Sequence, residues 1–379
     1  MKAVAASLAL ALGGIALVAV EAAADPTRAA FASLSALSFG IATGWGALLV
    51  LMTGLASRAS WVAVYRRPLE AMVASLPVLS LGVALLLAFA PRLYPWMEGG
   101  PALAPHARHA IEATDPWHAR PWLYARSALY LGVPLVLGEL TIRLSRRVTR
   151  DGDARLDGVR SRLAVGGLVA LVALGSFAAF DWVMALEPAW VSTIYGLIWL
   201  ASGYVTALAI LVLAVAAIRR AGGLRDLPRD AVHRLGKLLF AATCVWAYLA
   251  FSQYLLMYLA DLPSEVRWYL RRQAGAWGWV GLGLIVGGFA LPSLALLPVA
   301  VKRRLTALAP LAALVVLAHA VEHAWLVLPA RPEVGLPWAT LAAFAAVGGA
   351  ASATASIRAR RTDRLPRRDP LLREALEAE

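Results

Sequence analysis

Ten runs of roughly twenty mainly apolar residues each fill most of this chain, at about 3–24, 31–56, 71–90, 122–144, 163–182, 190–218, 235–260, 275–301, 306–328 and 337–357. Backbone amides cannot stay unpaired in hydrocarbon, so each run must close its own hydrogen bonds as a helix. The expected fold is therefore all-α, a polytopic integral membrane protein of about ten transmembrane helices. With 60% hydrophobic residues, 16% charged residues and a mean hydropathy of +0.68, a soluble single-core fold is excluded.

The net charge of +13 means little until it is placed along the chain. The N-terminus, the loops after spans 2, 4, 6 and 8 and the tail at 358–379 hold 27 Lys and Arg, against 8 in the alternate loops. This asymmetry expects both termini in the cytoplasm. The basic excess reads as topology with attraction to membrane lipid, not as a nucleic-acid surface. Lys2, an apolar run and Ala22-Ala23-Ala24 have the outline of a signal peptide. Removing that run would upset the alternation of basic loops, so the first span is expected to stay. Cys244 is the only cysteine, which leaves no disulfide and no thiolate cluster of the chain's own.

Function is sought in polar residues that hydrocarbon should reject. From Phe177 to Trp199 the chain turns between two spans, with Asp181 and Glu187 in the break and Trp182 and Trp190 beside them. An interfacial hairpin explains the indoles, and Glu187-Pro188 is expected to let a helix open at Trp190. In span 4, Arg126 is near the outer end and can snorkel. Glu139 is deeper, between Gly138 and Leu140, and is expected to be protonated, paired or wet. Arg66-Arg67-Pro68-Leu69-Glu70 reads as a charged elbow and positive-inside anchor, with Arg67 and Glu70 able to pair if it is helical.

The long loop at 91–121 carries His106, His109 and His118 with Glu112 and Asp115, a set better suited to docking than to a metal. Span 6 has Ser202, Gly203 and Thr206, and span 8 has Gly281, Gly283, Gly287 and Gly288 with Pro292 and Pro298. Small residues at these spacings let helices approach closely, and the prolines can interrupt a helix. Span 7 ends with Gln253, then Tyr254, Tyr258 and Asp261 on one narrow stripe. An aromatic belt accounts for the tyrosines but not for Gln253.

Span 9 holds His319, Glu322 and His323 within about 100° of helical arc. The string matches an inverted zincin motif, yet five letters are a cheap match and a protease needs a third ligand. Bis-histidine haem would want facing helices, whereas these histidines share one. A proton relay remains, because burial and neighbours bring histidine and glutamate toward neutral pKa values.

Several of these stretches, taken together, carry a family resemblance. Asp181-Trp182-Val183-Met184-Ala185-Leu186-Glu187-Pro188, Ser192-Thr193, Ser252-Gln253-Tyr254, Leu262-Pro263-Ser264-Glu265, Trp268-Tyr269, Arg66-Arg67 and Asp369-Pro370 occur in order from about residue 40 onward. So arranged, the chain resembles the ActF-type membrane subunit of bacterial alternative complex III, a quinol:cytochrome c oxidoreductase, within the NrfD (polysulfide reductase membrane subunit) family. The resemblance implies two four-helix bundles, at about 31–182 and 190–328, flanked by helices 3–24 and 337–357. It implies an inner-membrane subunit, not a catalyst on its own, with no redox cofactor. Its implied partners are an iron–sulfur subunit, a sister NrfD-like subunit carrying the quinol site, and multihaem cytochrome c subunits that hold the haem c.

The family has serine where Ala185 stands, tryptophan near Met257-Tyr258, and Arg and Asp where this chain has His319 and Glu322. The last exchange replaces a fixed charge by a titratable one. The expected role is a proton path coupled to quinol oxidation. Glu139 would serve a cytoplasmic half-path, His319, Glu322 and His323 the centre, and Asp181, Gln253, Tyr254 and Asp261 the outer exit. One rival reading is that this chain binds quinol or quinone itself, with Asp181 as proton acceptor. A rival of another class is a solute transporter, for which matched interrupted helices are expected; only span 8 looks interrupted.

Overall fold

The helix that meets most of the others is Pro26–Ala56 (α2), and its local sequence shows why it starts and runs where it does. The Asp25 side chain accepts the backbone N–H of Arg28 at 2.9 Å while Pro26 takes the first helical position, a pairing that starts a helix cleanly. Thirty-one residues without a proline inside then run unbroken. In this computed structural model the described residues are 2–98, 109, 111–112, 117, 119–151, 154–224, 229–331, 338–361 and 372. His106, Asp115, His118 and Asp369-Pro370 lie outside them, as does most of the tail.

The described residues form helices with no strand. Besides α2 the chain forms α1 (Lys2–Ala24), α3 (Ser60–Val73), α4 (Leu76–Leu87), α5 (Arg120–Asp151), α6 (Ala154–Trp182), α7 (Tyr195–Arg220) and α8 (Arg229–Ala260). The short surface helix α9 (Pro263–Gln273) leads to α10 (Ala276–Leu284), a π-helical turn at Ile285–Ala290 and α11 (Leu291–Leu296). The chain then continues through α12 (Leu305–Val327) and α13 (Trp338–Arg360). Among the described residues ten helical spans are long and apolar enough to cross a membrane, with α3 and α4 sharing one span and α10 and α11 another. The protein is a multi-pass membrane protein, as its ten apolar runs require.

Packing groups the helices by what α2 touches. On one side it meets α3, α4 and α6, with α5 against α6. On another it lies along α7 and α12, and on a third along α13, which pairs with α1. The approach of α2 to α7 needs glycine on both helices. A Cβ on Gly46 would come 2.0 Å from the carbonyl oxygen of Gly203, and one on Gly203 would come 2.1 Å from that of Ala42. Backbones this close also bring Trp45 edge-on to Trp199, with ring centroids 6.0 Å apart.

Ionic contacts divide the helix ends into two sets. At the arginine-rich end Arg58 reaches Asp157 at 3.1 Å, Arg66 and Arg67 reach Thr149, and Arg303 meets Asp230 at 3.6 Å. At the tryptophan-rich end Tyr94 and Trp96 donate to the carbonyls of Trp182 and Ala185. Arg66 through Glu70 is not an exposed elbow. It lies inside α3, and Arg66, Arg67 and Glu70 are buried. Glu70 takes Arg67 at 2.7 Å and the Ser145 hydroxyl of α5, so the charges satisfy one another within the protein.

A second difference concerns the break at Val183–Ile194, where the helix opens at Tyr195 and not at Trp190. Trp190 is instead stacked on Trp268 of α9 at 4.5 Å, and the Ser192 hydroxyl is engaged by Gln253. These side-chain partners outweigh the helix-starting preference of Pro188.

Gly203→Ala should lower the thermal unfolding midpoint in detergent, by the equivalent of about 1–3 kcal/mol, because a backbone carbonyl cannot step aside. Gly132→Ala, which meets nothing within 4 Å, should leave it unchanged.

Candidate functional site

The group best suited to chemistry is buried where α2, α7, α8 and α12 face one another. His319, Glu322 and His323 occupy successive positions on one face of α12, and all three are buried. By the 1.5 Å rise of a helix, His319 is about 21 Å from Leu305 and about 12 Å from Val327, well inside the span. A carboxylate at such depth is tolerated only if donors surround it. Glu322 has three. Trp246 of α8 donates its indole N–H to Oε1 at 2.8 Å, while Ser202 of α7 donates to Oε2 at 2.6 Å and His319 Nδ1 lies 2.6 Å from the same oxygen.

The network continues to α2. Trp199 gives its N–H to the Ser38 hydroxyl at 2.9 Å, and an indole has no acceptor to offer in return. Ser38 Oγ is also hydrogen-bonded to His323 Nδ1 at 2.9 Å, a contact in which either atom can donate. The other ring nitrogen, Nε2, faces the Ser202 oxygen at 3.4 Å. The series links Trp199, Ser38, His323, Ser202 and Glu322 in turn, with His319 beside Glu322. His319 Nδ1 is also 3.0 Å from Ser202, whereas its Nε2 is buried with no hydrogen-bond partner. Trp246 stands edge-on to the His319 ring at 4.7 Å and Phe39 edge-on to His323 at 5.8 Å, so aromatic walls enclose the path. Among the described residues no group of His, Cys, Asp or Glu could hold a metal ion.

Asp181 is buried too, but it belongs to a different assembly. Arg126 of α5 grips both its oxygens, at 2.7 and 3.0 Å, and the Tyr130 hydroxyl adds a third bond at 2.8 Å. Arg126 therefore does not simply snorkel. It is the fixed counter-charge of Asp181, with its guanidinium 3.9 Å from the Trp117 ring.

Gln253 also has a place that the tyrosine stripe did not suggest. It accepts from Ser192 at 2.7 Å and donates to Tyr269 of α9 at 3.0 Å, which ties the break before α7 to the surface helix. Burial, partly offset by Gln253, pushes the Tyr269 phenol up to about 12. Beside it Glu187 holds Arg271 and Arg272, each at 2.8 Å. Arg272 lies flat against Trp268 at 3.7 Å and donates to the Trp325 and Leu326 carbonyls of α12. Burial lowers the Arg272 pKa, and Glu187 works against that fall.

Tyr254 touches this platform only through the edge of Tyr269, at 5.2 Å, and its exposed neighbours on the stripe are Tyr258 and Asp261. Glu139 departs furthest from expectation. Its side chain is 53% exposed and pairs with Arg143 one turn along α5 at 2.6 Å, so it faces outward and joins no interior path. Of the eight expected residues the structure joins His319, Glu322 and His323, and it leaves Glu139, Asp181, Gln253, Tyr254 and Asp261 outside that network. Ser38, Trp199 and Trp246 belong to it and were not foreseen as partners, since a serine or tryptophan in an apolar span carries no local sign of what it bonds.

A scan against protein-family models finds no match for this chain, and a search of curated proteins finds none either.

Asp181→Asn should destabilise the protein by about 3 kcal/mol, because it leaves the Arg126 charge unmatched. Replacing both partners, with Arg126→Gln and Asp181→Asn together, should recover part of the loss in thermal unfolding of the detergent-solubilised protein.

Proposed function

We propose that this chain is a proton-conducting membrane subunit in which hydrogen ions pass along Ser38, His323, Ser202, Glu322 and His319. One observation carries the reading: three titratable side chains and two hydroxyls form a continuous hydrogen-bond series deep within a membrane-spanning bundle. Such a series moves a proton by a shift at each link. A proton arriving at one nitrogen of a histidine is matched by one leaving from the other. Glu322 can take or release a proton because none of the partners named above is a permanent cation.

The resemblance to the ActF-type subunit supplies the setting: quinol oxidation in a quinol:cytochrome c oxidoreductase, with iron–sulfur clusters and haem c in partner subunits. In that setting the chain conducts protons while electrons pass elsewhere. The excess of Lys and Arg in alternate loops supports a bacterial inner-membrane orientation with both termini and the arginine-rich end in the cytoplasm.

A quinol-binding reading draws on a small apolar hollow lined by Leu34, Leu37, Val83, Leu93 and Trp182, with Ser38 at its edge. A quinol hydroxyl there would meet the start of the series. Asp181, the acceptor first suggested for that role, is held by Arg126 and Tyr130. Photolabelling with a quinone analogue separates the two readings: labelled hollow residues favour binding by this chain.

Glu322→Gln should leave assembly and quinol oxidation intact in the whole complex, yet lower proton flux into proteoliposomes by about a hundredfold, the scale on which removing a positioned acid–base group acts. Unchanged flux in both Glu322→Gln and His319→Gln variants removes the proposal.

A further inference from the structure

The open end of the hydrogen-bond series is His319 Nε2. Its ring partner Nδ1 is engaged by Glu322 and Ser202, while Nε2 is enclosed in a residue only 1% exposed and meets no donor or acceptor of the protein. Buried imidazole nitrogens in such surroundings normally find a partner. The ligand that fits is small, polar and able both to give and to take a hydrogen bond.

Groups able to hold it lie toward the arginine-rich end. Thr206 is four residues, about 6 Å, along α7 from Ser202, and Thr243 is three residues, about 4.5 Å, along α8 from Trp246. Both are buried. Each hydroxyl gives its hydrogen to a carbonyl of its own helix at 2.8 Å, which leaves its oxygen free to accept. Ser293 of α11 is buried and its hydroxyl has no partner. These three helices are linked through packing: α7 and α11 lie against α12, and α8 lies against α7 and α11.

The π-helical turn at Ile285–Ala290 stands at the level of His319. A Cβ on Gly288 would be 3.7 Å from that of Ala318 and 3.3 Å from the Trp246 ring, so glycine keeps this wall thin beside the histidine. Pro292 follows and brings no N–H to the turn above it, which leaves a backbone carbonyl there as a further acceptor.

We propose that a file of water molecules runs from His319 Nε2 toward the arginine-rich end between α7, α8, α11 and α12, held by Thr206, Thr243 and Ser293. The inference rests on the proton-relay reading, for which it is the supply. A proton delivered by the terminal water to Nε2 makes an imidazolium, and the Nδ1 proton then passes to Glu322. No electron moves. The route also replaces Glu139, which faces outward, as the way in from this side.

Silver ion, a small thiol-binding cation that enters where water does, tests the file in membrane vesicles holding the full chain in its native complex. Cys244→Ala first removes the native thiol. Ser293→Cys is then compared with Leu294→Cys, whose side chain faces outward at the neighbouring position. Protection against later maleimide labelling should develop at least tenfold faster at Ser293→Cys when silver is added on the arginine-rich side. Where that variant fails to accumulate, Thr243→Cys takes its place with the same expectation. Equal or slower protection than at Leu294→Cys overturns the file. The readout involves no proton transport, so a wet Ser293 alongside unchanged flux in both Glu322→Gln and His319→Gln would sink the relay and leave the file standing.

Discussion

Holding a carboxylate in hydrocarbon sets the terms for the centre of this protein, because the groups that reach Glu322 must be gathered from three helices at the same depth. Trp246 comes from α8, Ser202 from α7 and His319 from α12 itself. His323 then draws in α2 through Ser38. A slide of any one helix by a single turn, about 5.4 Å, would break its contact and leave the carboxylate exposed to oil. Glu322 thus fixes the register of α7 and α8 against α12, and the Ser38–His323 bond adds α2. That register also depends on the bare backbones of Gly46 and Gly203, which let α2 lie close enough to α7 for Ser38 and Trp199 to meet.

Toward both ends the polar groups are of another kind. Glu70 is met by Arg67, Asp157 by Arg58 and Arg160, Asp181 by Arg126, and Glu187 by Arg271 and Arg272. Each of these carboxylates faces a guanidinium, which stays charged at any pH the protein meets. Such pairs act as fixed pins. The Asp181 pair ties α5 to α6 and the Glu187 pair ties α9 to the break before α7, while Arg66 reaches from α3 to the Thr149 hydroxyl of α5, and together they hold the frame in which the centre sits.

Much of the frame was legible from periodicity alone, since ten apolar runs admit little besides ten helices. The face shared by His319, Glu322 and His323 was equally plain, because residues three and four apart on a helix must lie together. What could not be read was direction on helices whose apolar residues run all round. Glu139 looked buried because Gly138 and Leu140 flank it, yet flanking residues point elsewhere on a helix and Glu139 itself turns out toward Arg143. Partners distant along the chain were invisible for a related reason. Arg126 and Asp181 are 55 residues apart, and Ser38 and His323 are 285 apart, and no repeat or spacing signals either contact.

Asp181 and Glu322 show why geometry and not residue type decides which acid can work. Both are buried, both accept three hydrogen bonds, and both sit among tryptophans. Asp181 receives its bonds from a guanidinium fork and a phenol, groups that do not give up a proton near neutral pH. Glu322 receives one of its bonds from an imidazole and another from a serine that itself touches a second imidazole. Removing a proton from that set leaves another group able to restore it, and adding one has somewhere to go. A permanent cation beside Glu322 would lock the carboxylate as Arg126 locks Asp181, and the absence of one among its hydrogen-bond partners is what leaves the centre of the bundle able to change its charge.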